Sequence, residues 1–404
     1  MPIFERDSER KHLPIGSGPY TIGCVDFMND HTKDGVLLRL FYPTEHKDIK
    51  KCQMQWPLWL PRKQYGKGYC YFRRKNTKVF GRLFNWIGGD IYVPALWQAP
   101  VLNNGQKFPV IVFSHGLGGN RTTYTTLCSD LASQGFVVAA IEHRDGSASM
   151  TFVLKLIEEH LHHNHKNHHH RLHRDHSFTE EWVKYERQEK EDDFHIRNKQ
   201  LYHRIQECSQ VVDLLESVER GEETHSVLGI HWDITQLQGK LDLSRLAVMG
   251  HSFGGATCIA SAAKDKRFRL SVALDTWMLP LEENIYKDVT QPVLLVNTEI
   301  FQWKENVKSM FYLQSINPSD TIIITVKGTC HQSQTDFQFV VNAALGRFFE
   351  LRHTLDPYIA MEINSKSSLG FLWKHLNIPA ETYYEDILSG NHDLVIKGTN
   401  LKLS

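Results

Sequence analysis

The stretch Arg245-Leu-Ala-Val-Met-Gly-His-Ser-Phe-Gly-Gly-Ala256 decides the fold. An apolar run over residues 246–249 feeds straight into Gly250-His-Ser-Phe-Gly254 and then into a small-residue helical pattern over 256–263. A serine raised above a sheet edge needs a turn so tight that a side chain at either flanking position would strike neighbouring backbone, a demand that glycine at 250 and 254 meets. The motif therefore predicts a strand, a nucleophile elbow with Ser252 at its tip, and a helix whose first amides stabilise negative charge beside the hydroxyl.

Working outward, several Val/Ile/Leu runs are uninterrupted rather than alternating: 109–113, 136–141, 246–249, 270–274, 292–296 and 321–326. Such runs mark strands covered by helices on both faces, and helical stretches separate most of them, so a mostly parallel α/β sheet is expected. Residues 35–42 read as an antiparallel strand near the sheet edge. In a parallel sheet of this kind ligands gather past the carboxyl ends of the strands, which is where chemistry should be sought.

At 404 residues the chain can bury a large core, and we expect one domain spanning 1–404. Lys plus Arg equal Asp plus Glu at 46 each, leaving no net field to recruit a polyanion, and no nucleic-acid-binding pattern is present. Seven scattered cysteines, an odd number, suit free thiols in a reducing compartment. The first residues are charged and lack an apolar core, so no secretory signal is expected. Pro2 is incompatible with N-myristoylation, and no apolar run is long enough to span a bilayer. A cytoplasmic protein, soluble or peripheral to membranes, is the expectation; oligomeric state has no signature here.

Residues 155–240 read as a polar insertion with helical patterns around 180–191 and 199–219. It carries His160-Leu-His-His-Asn-His-Lys-Asn-His-His-His170, then His173 and His176. Neutral imidazoles bind metals, but this tract lacks the ordered Cys or carboxylate spacing of a built site, so a solvated loop is expected and no metal or cofactor is assigned.

A serine hydroxyl needs a base and an orienting carboxylate, in the chain order Ser, acid, His for a hydrolase sheet. Asp275 follows the run ending at Leu274, and His331 follows the run ending at Val326 through a Gly-containing loop. We assign them as orienting acid and general base. Glu299, also at a strand end, is the rival acid; Asp242, Asp265 and Asp336 read as surface or capping residues, and His251 as structural. The loop Phe113-Ser-His-Gly-Leu-Gly-Gly119 resembles an esterase oxyanion loop, with His115 conformational and the amides of Leu117 and Phe253 as donors.

Phe80, Leu83, Phe84 and Ile87 recur at helical spacing, with Trp86 beside them and Arg73, Arg74, Lys75, Lys78 and Arg82 flanking. This pattern fits a helix lying in a lipid interface, and equally a stripe packed on the core.

With these residues in hand, the chain resembles the platelet-activating factor acetylhydrolases. The resemblance rests on Gly18-Pro-Tyr-Thr-Ile-Gly-Cys-Val-Asp26, Val112-Phe-Ser-His-Gly-Leu-Gly118, Glu142-His-Arg-Asp145, His195-Ile-Arg-Asn198, Met249-Gly-His-Ser-Phe-Gly-Gly-Ala-Thr257, Ala273-Leu-Asp-Thr-Trp-Met278 and His331-Gln-Ser-Gln-Thr-Asp-Phe337. Ser-Gln-Thr-Asp-Phe and Leu355-Asp-Pro-Tyr358 look closer to the intracellular type II branch. The resemblance implies an α/β-hydrolase fold and calcium-independent hydrolysis of short or oxidised sn-2 acyl esters of phospholipids. It also implies Ser252, Asp275 and His331 as triad, Leu117 and Phe253 as oxyanion donors, and 80–87 as an interfacial helix. The Met-Pro start and the His-rich insertion depart from the family pattern. A general carboxylesterase or lipase of the same fold, and a catalytically silent lipid-binding protein, are the alternatives.

Overall fold

The computed structural model describes residues 10–45, 47–157, 178–190, 192–341, 346 and 351–403. Its strands are β1 (Ile22–Met28), β2 (Leu37–Pro43), β3 (Leu96–Trp97), β4 (Phe108–Ser114), β5 (Val137–Ile141), β6 (Met150–Leu156), β7 (Phe178–Lys184), β8 (Leu241–His251), β9 (Leu270–Leu274), β10 (Val293–Thr298), β11 (Thr321–Val326) and β12 (Val395–Lys397). Ten of them form one sheet in the order β12-β11-β10-β9-β8-β4-β5-β2-β1-β3. Every pairing from β11 across to β5 is parallel. β2 pairs antiparallel with β5 and with β1, close to the sheet edge as expected.

The uninterrupted apolar runs are explained by burial on both faces. Along β4, Ile111 and Phe113 enter one core, where they meet Leu127 and Leu131 of α3 (Thr125–Ser133) and Phe371 and Leu372 of the helix Pro357–His375. Val110 and Val112 enter the other, against Leu201, Val211 and Leu215 of α4 (Phe194–Glu219) and Ala256 and Ile259 of α5 (Phe253–Lys264). Side chains alternate across the strand, so a strand covered on both sides must be apolar at every position.

The chain leaves β4 towards β5 on one side and later returns to place β8 on the other. β4 and β8 are thus adjacent parallel strands, with Ser114 level with Gly250. This is a topological switch point, where loops after neighbouring strands part and leave a crevice. The loop after β4 and the elbow after β8 flank it.

One expectation is corrected. Residues 178–184 are not helical: β7 pairs antiparallel with β6, Trp182 opposite Phe152. Trp182 packs on Phe152 and Tyr65 with ring centroids 5.1 and 5.2 Å apart. The local Glu-rich pattern gave no sign of that partner strand. The helix expected around 199–219 is α4, and its apolar side packs into the core. The histidine tract 160–170, with His173 and His176, lies outside the described residues.

All seven cysteines are free. No helix among the described residues is long and apolar enough to cross a membrane.

Candidate active site

Ser252 lies between β8 and α5 with φ 59° and ψ −117°, a conformation that a non-glycine residue holds only when its surroundings impose it. The constraint is visible. The Ser252 amide donates to the Leu274 carbonyl at 2.8 Å, and its own carbonyl accepts from Gly255 at 3.0 Å and Trp277 at 3.1 Å. A Cβ at Gly254 would sit 2.1 Å from the Ser114 oxygen, and one at Gly250 2.2 Å from the Gly254 oxygen. Only glycine permits this approach of backbones.

Asp275 and His331 arrive from the next strands. Asp275 follows β9, is fully buried and has φ 43°. His331 follows β11 and opens the short helix His331–Gln334. Its Nδ1 lies 2.6 Å from Asp275 Oδ2. The carboxylate also accepts from the Thr298 amide at 2.8 Å and from the Thr298 hydroxyl at 2.7 Å. The imidazole is stacked on Phe301 with centroids 3.7 Å apart. Ser252 and His331 line one cavity of about 380 Å³, whose walls include Tyr69, Phe72, Leu117, Trp277, Trp303 and Phe337.

Glu299 does not reach the imidazole. Its Oε2 accepts the Gly328 amide at 2.6 Å and so secures the loop that delivers His331. Asp242 pairs with Arg245, and Asp265 with Arg267. Asp336 is capping, as expected, but is fully buried rather than on the surface. It accepts from the amides of Thr125 and Thr126, at the start of α3, at 2.7 and 2.9 Å and from the Trp59 indole at 3.0 Å. Burial, only partly opposed by these bonds, pushes its carboxyl up to about 7.

The loop after β4 leaves one amide open. Gly116 donates to the Tyr124 hydroxyl at 3.0 Å, Gly118 to the Ser147 carbonyl at 2.8 Å and Gly119 to the Gly116 carbonyl at 3.0 Å. Among the described residues the Leu117 amide has no acceptor, and Leu117 lines the cavity. Phe253 is the first residue of α5, where an amide has no partner within the helix. His115 is buried, its Nδ1 2.8 Å from the Gly116 carbonyl, and burial followed by the charge of Arg204 lowers it to about 3. It is therefore neutral, in keeping with a conformational role.

Sequence reasoning missed Tyr124. Its hydroxyl accepts from Gly116 and lies 2.9 Å from His251 Nδ1, while His251 Nε2 lies 3.1 Å from the His331 carbonyl. Burial and then neighbouring His331 push His251 well below its ordinary range. A neutral His251 can donate from Nε2 and accept at Nδ1, tying the Gly116 loop to the His331 loop. No local signal marks Tyr124. Thr298, by contrast, ends β10 and could have been found by the rule that located Asp275.

The candidate interfacial residues divide. On α2 (Phe80–Gly88), Phe80, Leu83 and Trp86 are exposed, Trp86 to 76%, and Ile87 is half-buried. Phe84 is buried, which corrects its assignment to the lipid face. It packs on Tyr69 and Trp59 at centroid distances of 5.6 and 6.2 Å. Tyr69 also lines the cavity, so the helix adjoins its wall.

Residues 6–394 match the family described as platelet-activating factor acetylhydrolase, isoform II. The chain is similar to the platelet-activating factor acetylhydrolase of Gallus gallus, 39% identical over 396 residues that cover 97% of this chain and 90% of the relative. The enzyme of that name from Canis lupus familiaris is 36% identical over 401 residues, covering 98% and 84%. A putative phospholipase A2 of Schizosaccharomyces pombe is 26% identical over 426 residues, covering 90% and 92%. Among solved structures, a ferulic acid esterase from Streptomyces cinnamoneus superposes with a TM-score of 0.61 over 96% of this chain and 99% of its own. At 16% identity it shows the fold alone, that of an α/β-hydrolase.

Proposed function

The chain belongs to the platelet-activating factor acetylhydrolase, isoform II, family, and from that premise we propose that Ser252, His331 and Asp275 carry out its ester hydrolysis. The enzyme is a carboxylic ester hydrolase acting on platelet-activating factor and related phospholipids. The observation that supports the residue roles best is the 2.6 Å contact between His331 and buried Asp275 beside a strained serine opening to the same cavity.

In the proposed reaction Ser252 Oγ bonds to the sn-2 carbonyl carbon as its proton passes to His331 Nε2. Asp275 holds the proton on Nδ1 and stabilises the imidazolium. The carbonyl oxygen, now an oxyanion, accepts from the Leu117 and Phe253 amides. Collapse breaks the ester bond to the glycerol oxygen, which takes the proton from His331 and leaves as lyso-phospholipid. Water then attacks the acyl-enzyme, giving its proton to His331, and the short carboxylic acid departs as Ser252 regains its hydrogen. No step uses calcium.

We further propose that Phe80, Leu83 and Trp86 dock the enzyme on a lipid surface. An aromatic and aliphatic face beside basic residues suits the boundary between headgroups and acyl chains, and Phe84 anchors that face next to the cavity wall. A cytoplasmic location with peripheral contact to membranes or lipid particles accompanies this proposal, as does a single domain over 1–404.

Release of acetate from an sn-2 acetyl ether phospholipid, in excess chelator, tests the site. Turnover should resist the chelator and fall by about a million-fold in Ser252→Ala, the order of loss seen when a triad nucleophile is removed. Activity surviving in Ser252→Ala would overturn the assignment, and activity lost to the chelator would overturn calcium independence.

A further inference from the structure

Arg204 is fully buried on α4 and is not among the residues that line the cavity. A buried guanidinium is costly unless each donor is engaged, so its partners disclose what it holds. Nη1 donates to the His115 carbonyl at 2.7 Å, Nη2 to the Ser147 hydroxyl at 2.5 Å and Nε to Asp145 Oδ2 at 2.8 Å. The guanidinium carbon lies 4.2 Å from the centre of the Phe253 ring.

These contacts converge on two segments. His115 and Ser147 bracket Leu117 on the Arg204 side of the loop: the His115 carbonyl lies two residues ahead of it, and the Ser147 carbonyl accepts the Gly118 amide just after it at 2.8 Å. The Phe253 ring belongs to the residue that supplies the other proposed donor. One planar cation thus touches both halves of the oxyanion hole without lining the cavity. Around it, Ser114 Oγ lies 2.7 Å from His143 Nε2, and His143 Nδ1 lies 2.6 Å from Glu207. That chain mimics a serine triad, but all three residues are buried, so it serves as a brace and not as a second nucleophilic site.

We propose that Arg204 is a positioning residue that sets the separation of the Leu117 and Phe253 amides for the developing oxyanion; this rests on the roles proposed above for those two amides. Misplacing a reacting group by about 1 Å from a remote site can cost on the order of 100-fold in rate. Lysine keeps the charge but presents a single ammonium and no planar fork, so it cannot hold three separated acceptors and the ring face together.

The test uses Arg204→Lys in the full chain. kcat for acetate release should fall by about 10- to 100-fold. Affinity for a trifluoromethyl ketone, which forms a tetrahedral oxyanion on the serine, should fall in parallel. KM, the melting temperature and affinity for a non-hydrolysable sn-2 ether analogue should stay within about twofold or a few degrees. Ser147→Ala removes one partner without changing charge and should produce a smaller loss confined to kcat and ketone affinity; it carries the test should Arg204→Lys fail to fold. Unchanged kcat, or a loss shared equally by the ether analogue, would overturn the proposal. Ser252→Ala run alongside separates the two levels: if it stays active the site assignment itself is wrong, and if it is inactive while Arg204→Lys and Ser147→Ala keep wild-type kcat and ketone affinity, only the positioning role fails.

Discussion

Replacing Asp275 with asparagine changes one oxygen to an amide nitrogen, and the surrounding geometry dictates the outcome. Asp275 accepts from the Thr298 amide at 2.8 Å, the Thr298 hydroxyl at 2.7 Å and His331 Nδ1 at 2.6 Å. The Thr298 amide can only donate, so the asparagine oxygen must stay on that side. Its NH2 then faces His331. Nδ1 answers by becoming the acceptor, which moves the ring proton to Nε2, and Nε2 can no longer take the proton of Ser252. A tautomer locked in this way costs about 10⁴-fold in kcat, about 5.5 kcal/mol of transition-state stabilisation. The Thr298 hydroxyl can rotate to accept from the new NH2, so packing survives and the melting temperature should move by no more than about 5 °C. Steady-state acetate release reports kcat and KM, and thermal melting reports the fold. A folded Asp275→Asn enzyme keeping more than about a tenth of wild-type kcat would refute the role of Asp275.

Three further outcomes follow from other contacts. Glu299→Gln should keep activity within about threefold, because an amide oxygen can still accept from Gly328; a loss approaching the 10⁴-fold of a missing orienting acid would return that role to Glu299. Trp86→Ala should weaken binding to phosphatidylcholine vesicles by about 10-fold or more, the scale of burying one large apolar side chain, and leave hydrolysis of a water-soluble short-chain ester unchanged; equal vesicle binding would remove α2 from the interface. Burial holds the Asp336 carboxyl near 7 against an ordinary value of 3.8. The folded protein therefore binds a proton that the unfolded chain has released between about pH 4 and pH 7, and this contribution to stability falls as pH rises through that window. Denaturant unfolding of wild type and Asp336→Asn should show the wild type's advantage shrinking from about pH 4.5 to about pH 7.5, and a constant or growing advantage would mean that its three donors keep the carboxylate ionised throughout.

The elements legible in the chain were those whose cause is local. Parallel strands buried on both faces must be apolar at each position, so 109–113, 270–274 and 321–326 stand out. A tight elbow demands Gly250 and Gly254. Because strands of such a sheet end at one edge, Asp275 and His331 could be found from strand ends alone. Phe84 shows the limit: helical spacing placed it with Leu83 and Trp86, but spacing cannot say which side of a stripe meets Trp59 and Tyr69. Residues 178–184 became a strand because β6 offered a partner, an influence stronger than their own pattern.

The sequence by itself determined the sheet, the elbow and the order Ser252, Asp275, His331, since each follows from steric and solvation rules acting over a few residues. Only the tertiary structure decided that Tyr124 bridges to His251, that Asp336 caps α3 from inside the core and that Arg204 reaches the His115 carbonyl in the loop after β4. Those roles depend on hydrogen bonds between residues distant in the chain, where a donor's direction and its distance from water are set by packing and leave no local trace.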